Sequence, residues 1–331
     1  SPILRKGSGF IMKKTLLALS VMFAATSAQA IEIYNNEGVT VDLSGDIEVV
    51  YVKGFDKDSD FEQQIQDADF GFDVRYAMND EVSFGGYWEF DGASSDVTSG
   101  KNTSAEVGDV YVAFYTQTYG SVKFGRTCGA LDDAGVGSDY QFGVSSFFEN
   151  GSDFCADEMV RYDIDTGMFY ATASLAQDKK EQDSLGKDGA YYDLKLGARV
   201  ADFDFTAYFG DAEMKATAVT AEDSIWALEA RFSGVENLNL ELGYYATSME
   251  TGPVKVDADT IAFAADYTID AITIGAGYSI ADSDNDANDA DNWFVNAGYG
   301  FAPNTTGYIE VGGTDQKNTD TGVAVGVKAS F

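Results

Sequence analysis

Apolar and polar residues alternate along most of this chain with a period of two, and almost nowhere with the period of about 3.6 that marks an amphipathic helix. Val39, Val41, Leu43, Ile47, Val49 and Tyr51 share one face of the first clear segment, while Asp42, Ser44, Asp46 and Glu48 share the other. The same split recurs with Phe70, Phe72, Val74 and Tyr76 against Asp69, Gly71, Asp73 and Arg75, and with Leu238, Leu240, Leu242 and Tyr244 against Asn239, Glu241, Gly243 and Tyr245. The connections alternate in length. Tight, turn-rich links at 78–81, 119–121, 165–167, 201–202, 270–271 and 303–305 are separated by longer polar ones at 54–64, 92–105, 178–188, 211–222, 249–257 and 282–291. Short turns at one rim, long loops at the other and an apolar face rich in aromatics near the strand ends predict an all-β fold. The expected architecture is a transmembrane antiparallel β-barrel of about sixteen strands, wide enough to enclose water.

One stretch breaks the rhythm. Residues 125–161 include roughly 30 positions without sustained alternation, where a connection of about 5 is usual. The stretch holds both cysteines, Cys128 and Cys155, and between them an acidic and aromatic run with Asp132, Asp133, Asp139, Tyr140, Phe142, Phe147, Phe148 and Glu149. The pattern predicts a loop folded into the barrel lumen, where it narrows a pore. A soluble β-sandwich also alternates, but its hidden face needs no charge, whereas the polar face here carries acids and bases on nearly every strand. The last strand, with Val323, Val325, Val327, Ala329 and Phe331 on one face, runs into the terminal residue itself.

Charge and leader sharpen this. The sequence has 331 residues, a net charge of -34, no histidine, 35 Gly and 3 Pro. Residues 12–30 combine Met12-Lys13-Lys14, an apolar run and the small-residue site Ala28-Gln29-Ala30, the three parts of a cleaved secretory signal peptide. Residues 1–11 precede that methionine and are set aside as upstream sequence, leaving 31–331 as the barrel domain. Removing residues 1–30 takes away four cations and no acid, so the net charge of -34 becomes -38. Such acidity argues against nucleic acid as a partner. Two cysteines in an oxidising compartment favour a Cys128–Cys155 disulfide over two buried thiols, and closing a loop of about 27 residues contributes roughly 3.5 kcal/mol in the chain-entropy model. The absence of histidine excludes serine–histidine triads and histidine metal sites, and no other catalytic or cofactor spacing stands out. Asp282-Ser283-Asp284-Asn285-Asp286 begins like a calcium loop, but Ala287 replaces the turn glycine and Trp293 the bidentate glutamate, so a solvated external loop is expected and no metal site is assigned.

The leader, the Tyr119-Gly120-Ser121-Val122-Lys123-Phe124-Gly125-Arg126 strand entering the long loop, the Val160-Arg161-Tyr162 strand leaving it, and the terminal Phe331 together resemble the general porins of Gram-negative bacteria, Vibrio-type members in particular. The resemblance implies an outer-membrane channel for ions and small hydrophilic solutes, a homotrimer in contact with lipid and lipopolysaccharide, and an inward third external loop. It also implies a wall of bases facing the loop acids Asp132, Asp133 and Asp139. Arg126 and Arg161 match that wall, with Arg75 and Lys123 beside them. Two positions where the family has arginine are acidic here, Asp69 and Asp109, so the constriction is expected to prefer cations. The family's Pro-Glu-Phe-Gly-Gly loop tip is missing; Tyr140-Gln141-Phe142-Gly143 is the nearest stretch. Two other readings stay open: a barrel whose external loops serve adhesion or reception, and a solute-specific channel. The latter needs a lengthwise aromatic track, for which Tyr87, Tyr111, Tyr115, Tyr208 and Tyr245 look too scattered.

Overall fold

The computed structural model describes residues 30–92, 94–96, 101–103, 106–144 and 154–331. The expected leader, save Ala30, lies outside the described residues, as do Phe147, Phe148 and Glu149. The strands are β1 (Ile31–Asn36), β2 (Val39–Lys53), β3 (Glu62–Ala77), β4 (Val82–Asp91), the short pair β5 (Ser94–Asp96) and β6 (Lys101–Thr103), β7 (Glu106–Thr116) and β8 (Ser121–Cys128). The inward segment follows, and then β9 (Cys155–Asp165), β10 (Phe169–Gln177), β11 (Ala190–Val200), β12 (Phe203–Met214), β13 (Ala221–Val235) and β14 (Leu238–Thr251). β15 (Val254–Ile269), β16 (Ile272–Ser283), β17 (Ala290–Ala302), β18 (Thr305–Thr314) and β19 (Gly322–Ser330) complete the chain.

Every long strand pairs antiparallel with the next in order, β5 and β6 being a separate ribbon, and β19 returns to β2 from Val323↔Lys53 to Ser330↔Asp46. The ring is therefore closed, with sixteen strands around it, and closure satisfies the backbone groups that lipid cannot. β1 is additional: it hairpins onto the start of β2 through Glu37 and Gly38, both at positive φ, and continues the line of β19. Its alternation is broken by a register shift between Glu32 and Tyr34, which hides it in the sequence. The wall is uneven, reaching 15 and 16 residues at β13 and β15 but 10 and 8 at β4 and β8.

Period two sorts the side chains inside out. Phe263, Leu228 and Ile280 face outward at 58%, 53% and 50% exposure, while Glu229, Tyr208 and Glu310 on the other face are at 3%, 0% and 0%. An apolar exterior around buried polar groups is the arrangement that lipid selects. The densest core lies between the inward segment and one side of the wall, where Leu131, Ala134 and Val136 pack with Tyr208, Ala227, Tyr245 and Phe294.

Candidate pore constriction

The segment between β8 and β9 begins at a covalent clamp. Cys128 and Cys155 stand directly opposite each other on the two strands and are disulfide-bonded, and Gly129 N donates to Phe154 O at 2.7 Å one step further on. A short 3-10 turn, Ala130–Asp133, then enters the lumen. From there the segment follows the inner wall and is tied down by wall side chains. Arg161 donates to the Cys128 and Gly129 carbonyls at 3.0 and 3.1 Å, Asp193 accepts from Leu131 N at 2.9 Å, and Glu229 accepts from Gly135 N at 2.7 Å. Arg231 donates to Gly135 O at 2.7 Å, and Asn296 to Ser138 O at 2.9 Å.

The far end is held by one carboxylate. Glu310 of β18, fully buried, accepts the backbone N–H groups of Tyr140, Gln141 and Phe142 at 2.7, 2.8 and 2.6 Å, together with Asn296 Nδ2 at 2.8 Å. Tyr140 stacks on Tyr308 with ring centroids 4.0 Å apart, and Gln141 donates to Glu48 and to the Tyr308 hydroxyl. Phe142 fills the space that a Cβ at Gly312 or Gly322 would occupy, so those glycines accept the tip.

The predicted residues occupy different places in the barrel. Asp133 is on the loop but buried, bonded to Arg161 at 3.0 Å and Lys195 at 2.6 Å, so it anchors the loop against the wall. Asp132 and Asp139 keep partial exposure; Asp139 folds against Gly143, whose φ of 71° a side chain would strain. Arg75, Lys123 and Arg161 do face the lumen: Arg75 pairs with Asp73 and lies 3.8 Å from the Tyr115 ring, and Lys123 sits 4.8 Å from the Tyr111 ring and directly opposite Arg161. Arg126 does not. It shares the outward parity of Val122 and Phe124, pairs with Val110 across β7, and bonds to Asp157 at 2.7 Å at the long-loop rim, so it is removed from the constriction.

Asp69 and Asp109 face the lumen on the wall from β3 to β7, away from the docking contacts of the described loop residues. Asp69 lies in one rung with Asp46 of β2 and Asp91 of β4, and Glu48 stands opposite Asp67 one step along. Glu89 and Asp109 continue the acidic field towards β7, where Asp109 N donates to Glu89 at 3.4 Å and Thr127 to Asp109 at 3.4 Å. Like charges directly opposed weaken a sheet, so this rung contributes to the potential of the lumen at the expense of the fold. The cations named above lie chiefly under or beside the loop, where Asp133, Asp163, Glu229 and Glu241 occupy Arg161, Lys195 and Arg231.

A closed barrel of sixteen strands, whose lumen is narrowed by a loop clamped at its root and docked at its tip, is matched by the family model described as Gram-negative porin, over residues 15–319. The chain belongs to the Gram-negative porins. Among its relatives, Porin-like protein H of Photobacterium profundum is 29% identical over 97% of this chain and 100% of that protein. Outer membrane protein U of Vibrio parahaemolyticus is 26% identical over 90% and 88% respectively. A solved structure of OmpT from Vibrio cholerae, in its trimer form, superposes with a TM-score of 0.74 at 19% identity, covering 89% of this porin and 100% of that chain. The porin fold, the outer-membrane location and the role as a diffusion channel follow.

Within this porin, sequence reasoning missed the residues that dock the loop: Glu310, Asp193, Glu229, Lys195 and Arg231. Their inward parity was visible, but a carboxylate that collects backbone N–H groups about 170 positions away leaves no local mark. The five tyrosines separate into two sets. Tyr87 and Tyr111 are opposite in register and stacked at 5.3 Å, with Tyr115 further along β7, while Tyr208 and Tyr245 are buried behind the loop.

Proposed function

We propose that the mature chain, residues 31–331 after removal of a signal peptide at 12–30, forms a water-filled channel that prefers cations and passes small hydrophilic solutes. The observation that carries this reading is the rung of Asp46, Asp69 and Asp91 across β2, β3 and β4, reinforced by Glu48, Asp67, Glu89 and Asp109. Fixed carboxylates around a narrow passage concentrate cations and repel anions over roughly 8 to 10 Å near physiological salt. The zero-current potential across a KCl gradient in a planar bilayer tests it: the sign must report potassium preference, and chloride preference in the unmodified protein overturns the reading. We assign no catalytic chemistry to a chain without histidine.

Homotrimeric assembly is part of the proposal and is supported by the trimer form of the Vibrio cholerae neighbour. A monomeric mass in mild detergent counts against it. Outward Arg126 at the long-loop rim suits direct contact with lipopolysaccharide phosphates, and the acidic external loops suit contact through divalent ions.

A further inference from the structure

Beneath the inward loop, towards the short-turn rim, lies a chamber of about 480 Å³. Its charges differ from those of the acidic wall above it. Arg75 is held bidentate by Asp73 at 3.0 and 3.1 Å and lies over Tyr115. Across the chamber, Arg199 is held bidentate by Asp165 at 2.9 and 3.0 Å and lies 4.3 Å from the Tyr170 ring. Lys195 and Asp133, 2.6 Å apart, form the roof, and the second oxygen of Asp133, Oδ1, is buried without a hydrogen-bond partner.

Each of these three cations is thus matched to a carboxylate. A charged solute gains little here, because each cation already has a carboxylate at 2.6–3.0 Å and the Lys195–Asp133 pair is buried. A hydroxyl both donates and accepts, so it can use the spare lone pairs of the carboxylates and the spare N–H groups of the guanidinium forks while leaving the pairs intact. The tyrosine rings supply apolar edges beside those polar groups, and the volume falls in the range of small-molecule sites.

We propose that this chamber is a binding subsite for a neutral polyhydroxylated solute of one or two sugar rings, seated between the Arg75–Tyr115 and Arg199–Tyr170 stacks. The inference rests on the channel reading and adds a saturable step to it on the short-turn side.

The test is current block in planar bilayers by maltose added to either side, with polyethylene glycol of the same hydrodynamic radius and glycylglycine as comparisons. Maltose should reduce the current saturably, with half-block at roughly 1–100 mM and more readily from the short-turn side, beyond the reduction by the glycol. Tyr115→Leu should weaken the block by roughly five-fold, whereas Arg126→Ala, on the outer face, should leave the maltose constant unchanged. Block by maltose no greater than by the glycol overturns the subsite even if the mutant fails to assemble, and so does saturable block by glycylglycine alone. Those outcomes leave the channel reading intact; a protein that conducts no ions overturns the channel reading itself.

Discussion

At the scale of single residues, two buried carboxylates hold the loop in different ways. Glu310 satisfies three consecutive backbone N–H groups and an asparagine amide, and hydrogen bonds to an ionised acceptor each contribute about 1.5–3 kcal/mol. Glu310→Ala leaves those donors unsatisfied inside the lumen. We expect the tip to lose at least about 3 kcal/mol of docking energy and the open-channel current to become noisier; a current as quiet as that of the unmodified protein would show that the tip is held elsewhere. Asp133 instead joins Arg161 and Lys195 at the root. Asp133→Asn leaves the buried Lys195 facing a neutral amide and Arg161 still paired with Asp163, a loss of about 3–5 kcal/mol by the usual cost of breaking a buried pair. That change should also lower potassium preference, because it exposes positive charge under the loop. Zero-current potentials of the two mutants separate the roles: Glu310→Ala should mainly raise noise, and Asp133→Asn should shift selectivity.

At the scale of elements, the clamp and the neighbouring external loop support the root together. Cys128→Ser should leave the barrel assembled, because the ladder hydrogen bonds do not depend on the loop, and should raise current noise less than Glu310→Ala does, since Arg161 still grips the Cys128 and Gly129 carbonyls. Beside the clamp, the loop between β10 and β11 tucks Leu185 against Phe154 and Tyr191, and is wound around Asp178, which accepts N–H groups from Gln182, Asp183 and Gly186 at 2.7, 3.1 and 2.9 Å. Burial alone would push the Asp178 carboxyl up, but these three donors outweigh it and hold it below the ordinary 3.8. Burial, with the Asp178 carboxylate nearby, pushes Asp183 up to about 6. A raised carboxyl stabilises the folded loop below pH 3.8 and loses that contribution as pH climbs to about 6; a lowered one stabilises it above 3.8 and fails only in stronger acid. Amide protection at Gln182, Asp183 and Gly186 should therefore peak near pH 4 and decline towards pH 6, and a flat profile would contradict the pairing.

How far these elements were legible depends on the range of the signal. Strand parity needs only neighbours, so nearly every wall strand and the inward loop could be read from alternation and its interruption. Arg126 shows the cost of setting that signal aside: Phe124 and Arg126 share one parity, which places the arginine outside, while its resemblance to a family motif pointed inside. The docking carboxylates were beyond reach for the opposite reason, since their role exists only once distant strands close the ring.

At the scale of the whole molecule, the loop sorts the charge of the lumen into two halves. Its described residues touch the wall from Arg161 of β9 round to Gly322 of β19 and Glu48 of β2, on the side where Arg161, Lys195 and Arg231 are matched by Asp133, Asp163, Glu229 and Glu241. The wall from β2 to β7 carries the opposed rung of Asp46, Asp69 and Asp91 with its neighbours. On the proposed reading, a permeating ion passes between a loop face whose acids and bases are paired and an acidic wall, and the wall governs its selectivity. Asp69→Arg is the most direct probe, because it puts a cation at the centre of the rung, within reach of both flanking aspartates, and reverses the local sign. The zero-current potential should move towards chloride, by more at low salt, where the Debye length exceeds about 10 Å, than near 1 M, where it falls to about 3 Å. Arg126→Ala is the matched control: on the outer face it should leave the potential unchanged at every salt concentration. An unmoved potential in Asp69→Arg, or a shift in Arg126→Ala as large as in Asp69→Arg, would remove the rung from the selectivity filter and place the filter on the loop.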